Sequence, residues 1–155
     1  MNNIIDIDVI IDEEYIDPKV TIETNAKNTY VESIVDAIEN VAENEYPILT
    51  GYVDNNAHFI FQRDIIRAHI ENRKVILETE EGTYNVRKSL VALENILNPT
   101  RFVRISQSEI INIYKVERFE FDIAGTIGVV FSNGEKTWVS RSRVSNLKDI
   151  INKNH

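Results

Sequence analysis

The sequence predicts a mainly β protein with short helices, α+β overall, in which a small strand–strand–helix lead precedes a larger strand-rich part. Three observations predict it. Short runs of alternating apolar and polar residues recur along the chain, which is the period of half-buried strands. Apolar residues at helical spacing are confined to three stretches, near residues 29–44, 89–97 and 144–151. The charge is also divided: residues 1–58 carry thirteen acids against Lys19 and Lys27, a balance of −11, whereas residues 59–155 carry twelve acids against fifteen Lys and Arg, a balance of +3. That asymmetry suggests an acidic module over 1–46 joined to a mildly basic one over 47–155.

In the lead, Ile5, Ile7, Val9 and Ile11 fall on one face of a strand with Asp6, Asp8 and Asp12 opposite. Residues 20–24 read as a second strand after a turn at Asp17-Pro18. Thr29 with Glu32 has the spacing of a capping box, and Val31, Ile34, Val35, Ile38 and Ala42 continue as a helix ending near Asn44. From Ile48 onward, strands are expected over 48–53, 58–61, 64–70, 73–80 and 83–87, with a tight turn at Glu81-Gly82. A helix from Ser89 to Leu97 stops at Asn98-Pro99. Strands follow over 102–105 and 109–121, and Asn133-Gly134 between alternating runs reads as a type I′ hairpin turn. Val144, Leu147, Ile150 and Ile151 define a last amphipathic helix; Phe131 and Trp138 read as core.

A chain of 155 residues buries enough surface to fold without staples. The absence of cysteine removes disulfide frameworks, thiolate metal sites and cysteine nucleophiles, and suits a cytoplasmic location. No basic leader with a long apolar run is present, and no run approaches the ~20 residues of a membrane span. The sequence has no GxGxxG, Walker A loop, HExxH or GxSxG. His58, His69 and His155 are scattered and read as structural, and Asp6/Asp8/Asp12 lack the Gly and Glu of a calcium loop. Neither an enzyme nor a cofactor is expected.

One stretch carries more than composition. Residues 102–113, Phe-Val-Arg-Ile-Ser-Gln-Ser-Glu-Ile-Ile-Asn-Ile, are followed by Asn133-Gly134, then Val139-Ser140-Arg141 leading into a helix with Leu147-Lys148. Upstream, Thr83-Tyr84-Asn85-Val86 leads into Ser89-Leu90 and Leu93-Glu94. In this order the motifs resemble the LytTR-type DNA-binding domains over roughly residues 48–155, and the layout is similar to short stand-alone bacterial regulators of that family. The resemblance implies stacked antiparallel β-sheets whose loops, rather than a recognition helix, enter successive major grooves. Positions matching the family's contacts lie in three places: Asn72, Arg73 and Lys74; Ser106, Gln107 and Ser108; and Arg141, Ser142 and Arg143. Arg, Gln and Ser in such loops can pair with base edges.

Many relatives carry His or Lys where this chain has Ser106 and Gln107, so an altered sequence preference or weaker binding is expected. Clustering of Arg73, Lys74, Arg104, Arg141, Arg143 and Lys148 on one face would supply the phosphate attraction. Asn112 reads as a residue bonding backbone at a turn.

The resemblance further implies double-stranded DNA with paired or repeated half-sites as partner, and a homodimer at least on DNA. The usual fused receiver domain needs about twice the length of this lead, so the protein is response-regulator-like only in its DNA-binding part. The lead itself reads as a structural or dimerisation cap, a docking surface for a membrane-embedded antagonist, or an acidic mimic competing for the basic face. The alternative from another class is a protein-interaction module acting through that acidic segment.

Overall fold

In the computed structural model, which describes residues 5–16, 18–43 and 46–153, strand pairing begins only at Leu49. The two strands expected in the lead are not formed: residues 5–11 and 20–24 carry no ladder, and Ile7, Val9, Ile10 and Ile11 are 80% to 90% exposed. Alternation specifies a segment able to bury one face, but a strand also needs a neighbour's backbone groups and apolar surface. Ile10 also breaks the alternation by placing an apolar residue on the acidic face. The helix does form, as α1 (Thr29–Glu43), but its cap is Asn28 rather than the Thr29/Glu32 pair: Asn28 Oδ1 accepts from the Val31 amide at 3.0 Å. The chain divides into two units, Met1–Ile38 and Glu39–His155.

The described residues of the second unit hold ten antiparallel strands in two sheets. The larger contains β1 (Leu49–Val53), β2 (Asn56–Ile60), β3 (Ile65–Glu71), β4 (Lys74–Thr79), β5 (Gly82–Val86), β6 (Phe102–Ser106) and β7 (Glu109–Asn112), in the order β2-β1-β5-β4-β3-β7-β6. The smaller contains β8 (Val116–Phe121), β9 (Ile127–Phe131) and β10 (Lys136–Trp138), in the order β10-β9-β8. Helix α2 (Leu90–Ile96) links β5 to β6, and α3 (Val144–Lys153) follows β10.

Alternation sends the central strands of the larger sheet into two apolar layers. Ile65, Ala68, Leu77, Phe102 and Ile110 join Leu90, Leu93 and Leu97 from α2 and its end on one face. Ile66, Val103, Ile105 and Ile111 join Ile127, Val129 and Phe131 of β9, with Val139 and Leu147, on the other. Each fully buried aliphatic or aromatic side chain contributes roughly 1.5–3 kcal/mol, so the first layer holds α2 on the larger sheet and the second holds the smaller sheet and α3 against its other face. Ser89 caps α2 by accepting from the Ala92 amide at 3.1 Å. Gln62, only 4% exposed, ties strand to helix: its Oε1 accepts from the Asn98 amide at 2.9 Å and its Nε2 donates to the Pro47 carbonyl at 3.0 Å.

Three local expectations are corrected. Residues 109–121 are not one strand; a 3₁₀ turn at Ile113–Lys115 separates β7 from β8 and carries the chain from one sheet to the other. Asn112 causes the break, because its wholly buried side chain donates to the Ile65 carbonyl at 2.8 Å and accepts from the Tyr114 amide at 3.0 Å. Those are backbone groups that a longer ladder would have used. The Asn133-Gly134 hairpin has a three-residue loop: Phe131 N–H donates to Glu135 O at 2.9 Å, and within the loop only Gly134 has a positive φ, +88°. The two-residue turn with both central φ values positive is instead Asn72 (+50°) and Arg73 (+64°), between the paired residues Glu71 and Lys74. Trp138 is 54% exposed rather than core, because β10 turns Thr137 inward and leaves Lys136 and Trp138 outward, the Lys136 ammonium lying 4.3 Å from the indole centroid.

Candidate nucleic-acid interface

Strand register brings the three sequence-predicted segments to one end of the larger sheet. In the β3–β7 ladder His69 pairs with Glu109, and the Ile70 amide donates to the Ser108 carbonyl at 2.9 Å. The β3–β4 turn at Asn72-Arg73 and the β6–β7 turn at Gln107-Ser108 therefore emerge side by side. Ser140 N–H donates to the Ile105 carbonyl at 2.8 Å, which sets the 3₁₀ turn Arg141–Arg143 against the end of β6. Asn72, Arg73, Lys74, Gln107, Ser108, Arg141 and Ser142 are exposed, while Ser106 and Arg143 are half-buried.

Charge at this end is available rather than spent. Among the described residues, Arg67, Arg104, Lys115, Arg118 and Lys136 each face a carboxylate. Arg73, Lys74, Arg141, Arg143 and Lys148 have no such ion pair in the same set. Glu71, cross-strand from Lys74, lies instead 3.5 Å from His69 Nε2. The balance of +3 thus understates the positive field near the turns. Arg73 also sits, exposed, in a left-handed conformation that costs a non-glycine residue roughly 1–2 kcal/mol.

Arg104, grouped by the sequence with the free cations, has a different task. Its guanidinium donates to the Ser106 carbonyl at 2.7 Å, to the Gln107 carbonyl at 2.6 Å and to Glu94 at 2.7 Å. It braces the turn from behind and does not project from it. Ser106 Oγ accepts from the Ser108 amide at 3.2 Å and lies 3.3 Å from Ser108 Oγ, so Gln107 is presented at the tip of a turn tied on both sides. His58, predicted to be structural, is exposed beside the Tyr84 ring, with centroids 5.3 Å apart. The described residues hold no group of three or more His, Asp or Glu able to bind a metal.

Sequence reasoning missed a polar network behind the turns. A register shift between Ile65 and Arg67 lets Ile66 and Arg67 address the same layer, so the Arg67 guanidinium lies 5.5 Å from the Phe131 centroid. Arg67 donates to Glu78 at 2.8 Å, Glu109 at 3.3 Å and Glu135 at 3.1 Å. Thr137 Oγ1 donates to Glu109 at 2.7 Å and Asn133 Nδ2 to Glu78 at 3.3 Å. The available signal was an Arg inside the apolar run Ile65–Ala68 and a Glu directly before the apolar pair Ile110-Ile111.

Burial opposes ionisation of Glu78, yet its hydrogen bond with Glu135, together with Arg67 and Asn133, holds it below the ordinary 4.5. Glu135 moves above that value, because its protonated form makes the bond to Glu78, with burial and the neighbouring charge adding to the shift. Glu78, being depressed, contributes stability above its unfolded pKa that is lost as pH falls through its folded one. Glu135, being raised, contributes stability below its unfolded pKa that is lost as pH rises through its folded one. The pair's contribution is therefore greatest between the two folded pKa values and smaller on either side. Glu135→Gln should flatten the decline toward neutral pH and spare the acid limb, which thermal melts from about pH 4 to about pH 7 will test.

Two stacked antiparallel sheets, with exposed arginines and a lysine on adjoining turns, make a mainly β domain with a cationic end. The LytTr DNA-binding domain family matches residues 55–152. The chain belongs to that family. Two HTH-type transcriptional regulators of Staphylococcus aureus, from the bovine RF122 and NCTC 8325 strains, are each 31% identical over 137 residues, spanning 88% of this chain and 88% of their own. A LytTr DNA-binding domain from Bacillus cereus superposes with a TM-score of 0.64 at 22% identity, over 67% of this chain and 95% of its own, and confirms the fold. The relatives' name refers to a helix-turn-helix, but here α1 runs into β1 and α2 into β6, with no two consecutive α-helices among the described elements. No helix among the described residues is long and apolar enough to cross a membrane.

Proposed function

We propose that this protein is a transcriptional regulator that binds double-stranded DNA through residues 47–155, reading base edges in the major groove with loop residues. Asn72, Arg73 and Lys74, Gln107 with Ser106 and Ser108, and Arg141 with Ser142 and Arg143 form the reading surface. Two protomers occupy paired or repeated half-sites as a homodimer on DNA. The observation that carries this reading is the convergence of three turns at one sheet end, whose Arg73, Lys74, Arg141 and Arg143 have no ion pair among the described residues. Backbone contacts from those cations would set position, and Gln and Arg would discriminate bases at ~1–3 kcal/mol per bidentate pair.

Fluorescence anisotropy with the duplex upstream of the protein's own coding sequence, beside a shuffled duplex, tests it. The expected result is preference for the former, with log affinity falling against log salt by about 0.9 per phosphate contacted. Equal affinity for both duplexes, or no binding at low salt, would overturn it. A second reading, in which the acidic lead docks a protein partner such as a membrane-embedded antagonist, is favoured by the exposed Ile7, Val9, Ile11 and Ile16 alternating or interspersed with acids.

A further inference from the structure

The two turns richest in base-reading side chains are built on different sheets. Ser106–Ser108 joins β6 to β7 of the larger sheet, whereas Arg141–Arg143 follows β10 of the smaller. The distance between them is therefore set by how the sheets are locked together, not by the ladder of either. Two clamps straddle the Ser106–Ser108 turn. On one side the Ser140 amide bonds the Ile105 carbonyl at 2.8 Å; on the other Thr137 Oγ1 bonds the Glu109 carboxylate at 2.7 Å. Glu109 is 8% exposed, directly follows Ser108, and gives its second oxygen to Arg67 at 3.3 Å. Arg67 in turn holds Glu135, and Glu78 holds Asn133, both in the connection between β9 and β10.

Three carboxylates around one guanidinium are a poor way to gain stability, since apolar side chains of similar volume often do as well or better. What hydrogen bonds to ionised groups add is direction: an apolar contact tolerates sliding of one sheet over the other, and a 2.7 Å bond from a hydroxyl to a buried carboxylate does not. We propose that Thr137, Glu109 and Arg67 are positioning residues that fix the offset between the Gln107 turn and the Arg141 turn, and so determine which spacing of base contacts the protein reads. This rests on the DNA-binding reading above.

The test is selection from a random duplex pool by the full chain, followed by sequencing, for the natural protein, Thr137→Val and Thr137→Ser. The natural protein should converge on two base clusters at one fixed spacing. Thr137→Val keeps the shape and loses the donor. It should retain both clusters but spread them over several spacings, with preference for the natural spacing falling about tenfold, the value of one hydrogen bond to a charged group. Thr137→Ser, which restores the hydroxyl, should restore the single spacing. A merely structural threonine would lower the melting temperature and leave the spacing untouched; that result overturns the inference while leaving the function standing. Convergence of the natural protein on no motif overturns the DNA reading and the inference with it. Should Thr137→Val fail to fold, Asn133→Ala, at the exposed loop of the same hairpin, carries the same expectation.

Discussion

Arg141→Ala weakens binding to a selected duplex by about 5- to 150-fold, the range expected when one good bidentate base contact worth ~1–3 kcal/mol is removed. Stability should change by no more than about 0.5 kcal/mol, because the side chain is exposed and no ion pair holds it. The form of the loss separates two roles. If Arg141 reads a base, the variant loses preference at one position and its salt dependence is unchanged. If it only neutralises a phosphate, affinity falls evenly across sequences and the salt slope drops by about 1. Anisotropy titrations at several salt concentrations, with a thermal melt beside them, decide between the two. A large fall in melting temperature without a binding defect would make the arginine a structural one and remove it from the surface.

Arg104 and Arg141 differ in ways that local sequence does not carry. Arg104 lies just before a polar triplet and Arg141 within one, and by sequence alone both fit one cationic face. The difference arises from long-range geometry: Arg104 lies in β6 on the α2 side, where Glu94 and the carbonyls of its own turn surround it, whereas Arg141 follows the end of β10 and faces outward. Local pattern fared well wherever burial was decided by neighbours of regular period, as in β3 to β5, α2 and α3, whose bounds differ from expectation by a residue or two. It failed where a side chain took over a backbone group. Asn112 ended β7 in mid-run, and a shifted register in β3 turned Arg67 toward three acids that alternation would have left elsewhere. The lead failed for a third reason, since alternation reports what a strand could bury and not whether a partner strand exists.

Asn112 also carries the largest expected effect on stability. It is fully buried, and both ends of its amide bond main-chain groups, the Ile65 carbonyl in β3 and the Tyr114 amide in the turn that leads to the smaller sheet. Asn112→Leu keeps the branched shape, with somewhat more volume, but strands an acceptor and a donor, each worth about 1–3 kcal/mol when left unmade, so a loss of about 2–6 kcal/mol is expected by denaturant titration. Asn112→Asp distinguishes the hydrogen bonds from simple packing. The introduced carboxyl can still accept from Tyr114, but when ionised it sets oxygen against the Ile65 oxygen, and only its protonated form donates there. Its folded pKa should therefore lie above the unfolded value, so its stability is retained in acid and lost as pH rises through the folded pKa. Asn112→Asp should approach the natural protein near about pH 4 and fall well below it near about pH 7, whereas the deficit of Asn112→Leu should keep the same size at both. Equal deficits for the two variants across that range would mean that the cost is lost packing, and that the passage from β7 into the smaller sheet does not depend on this amide.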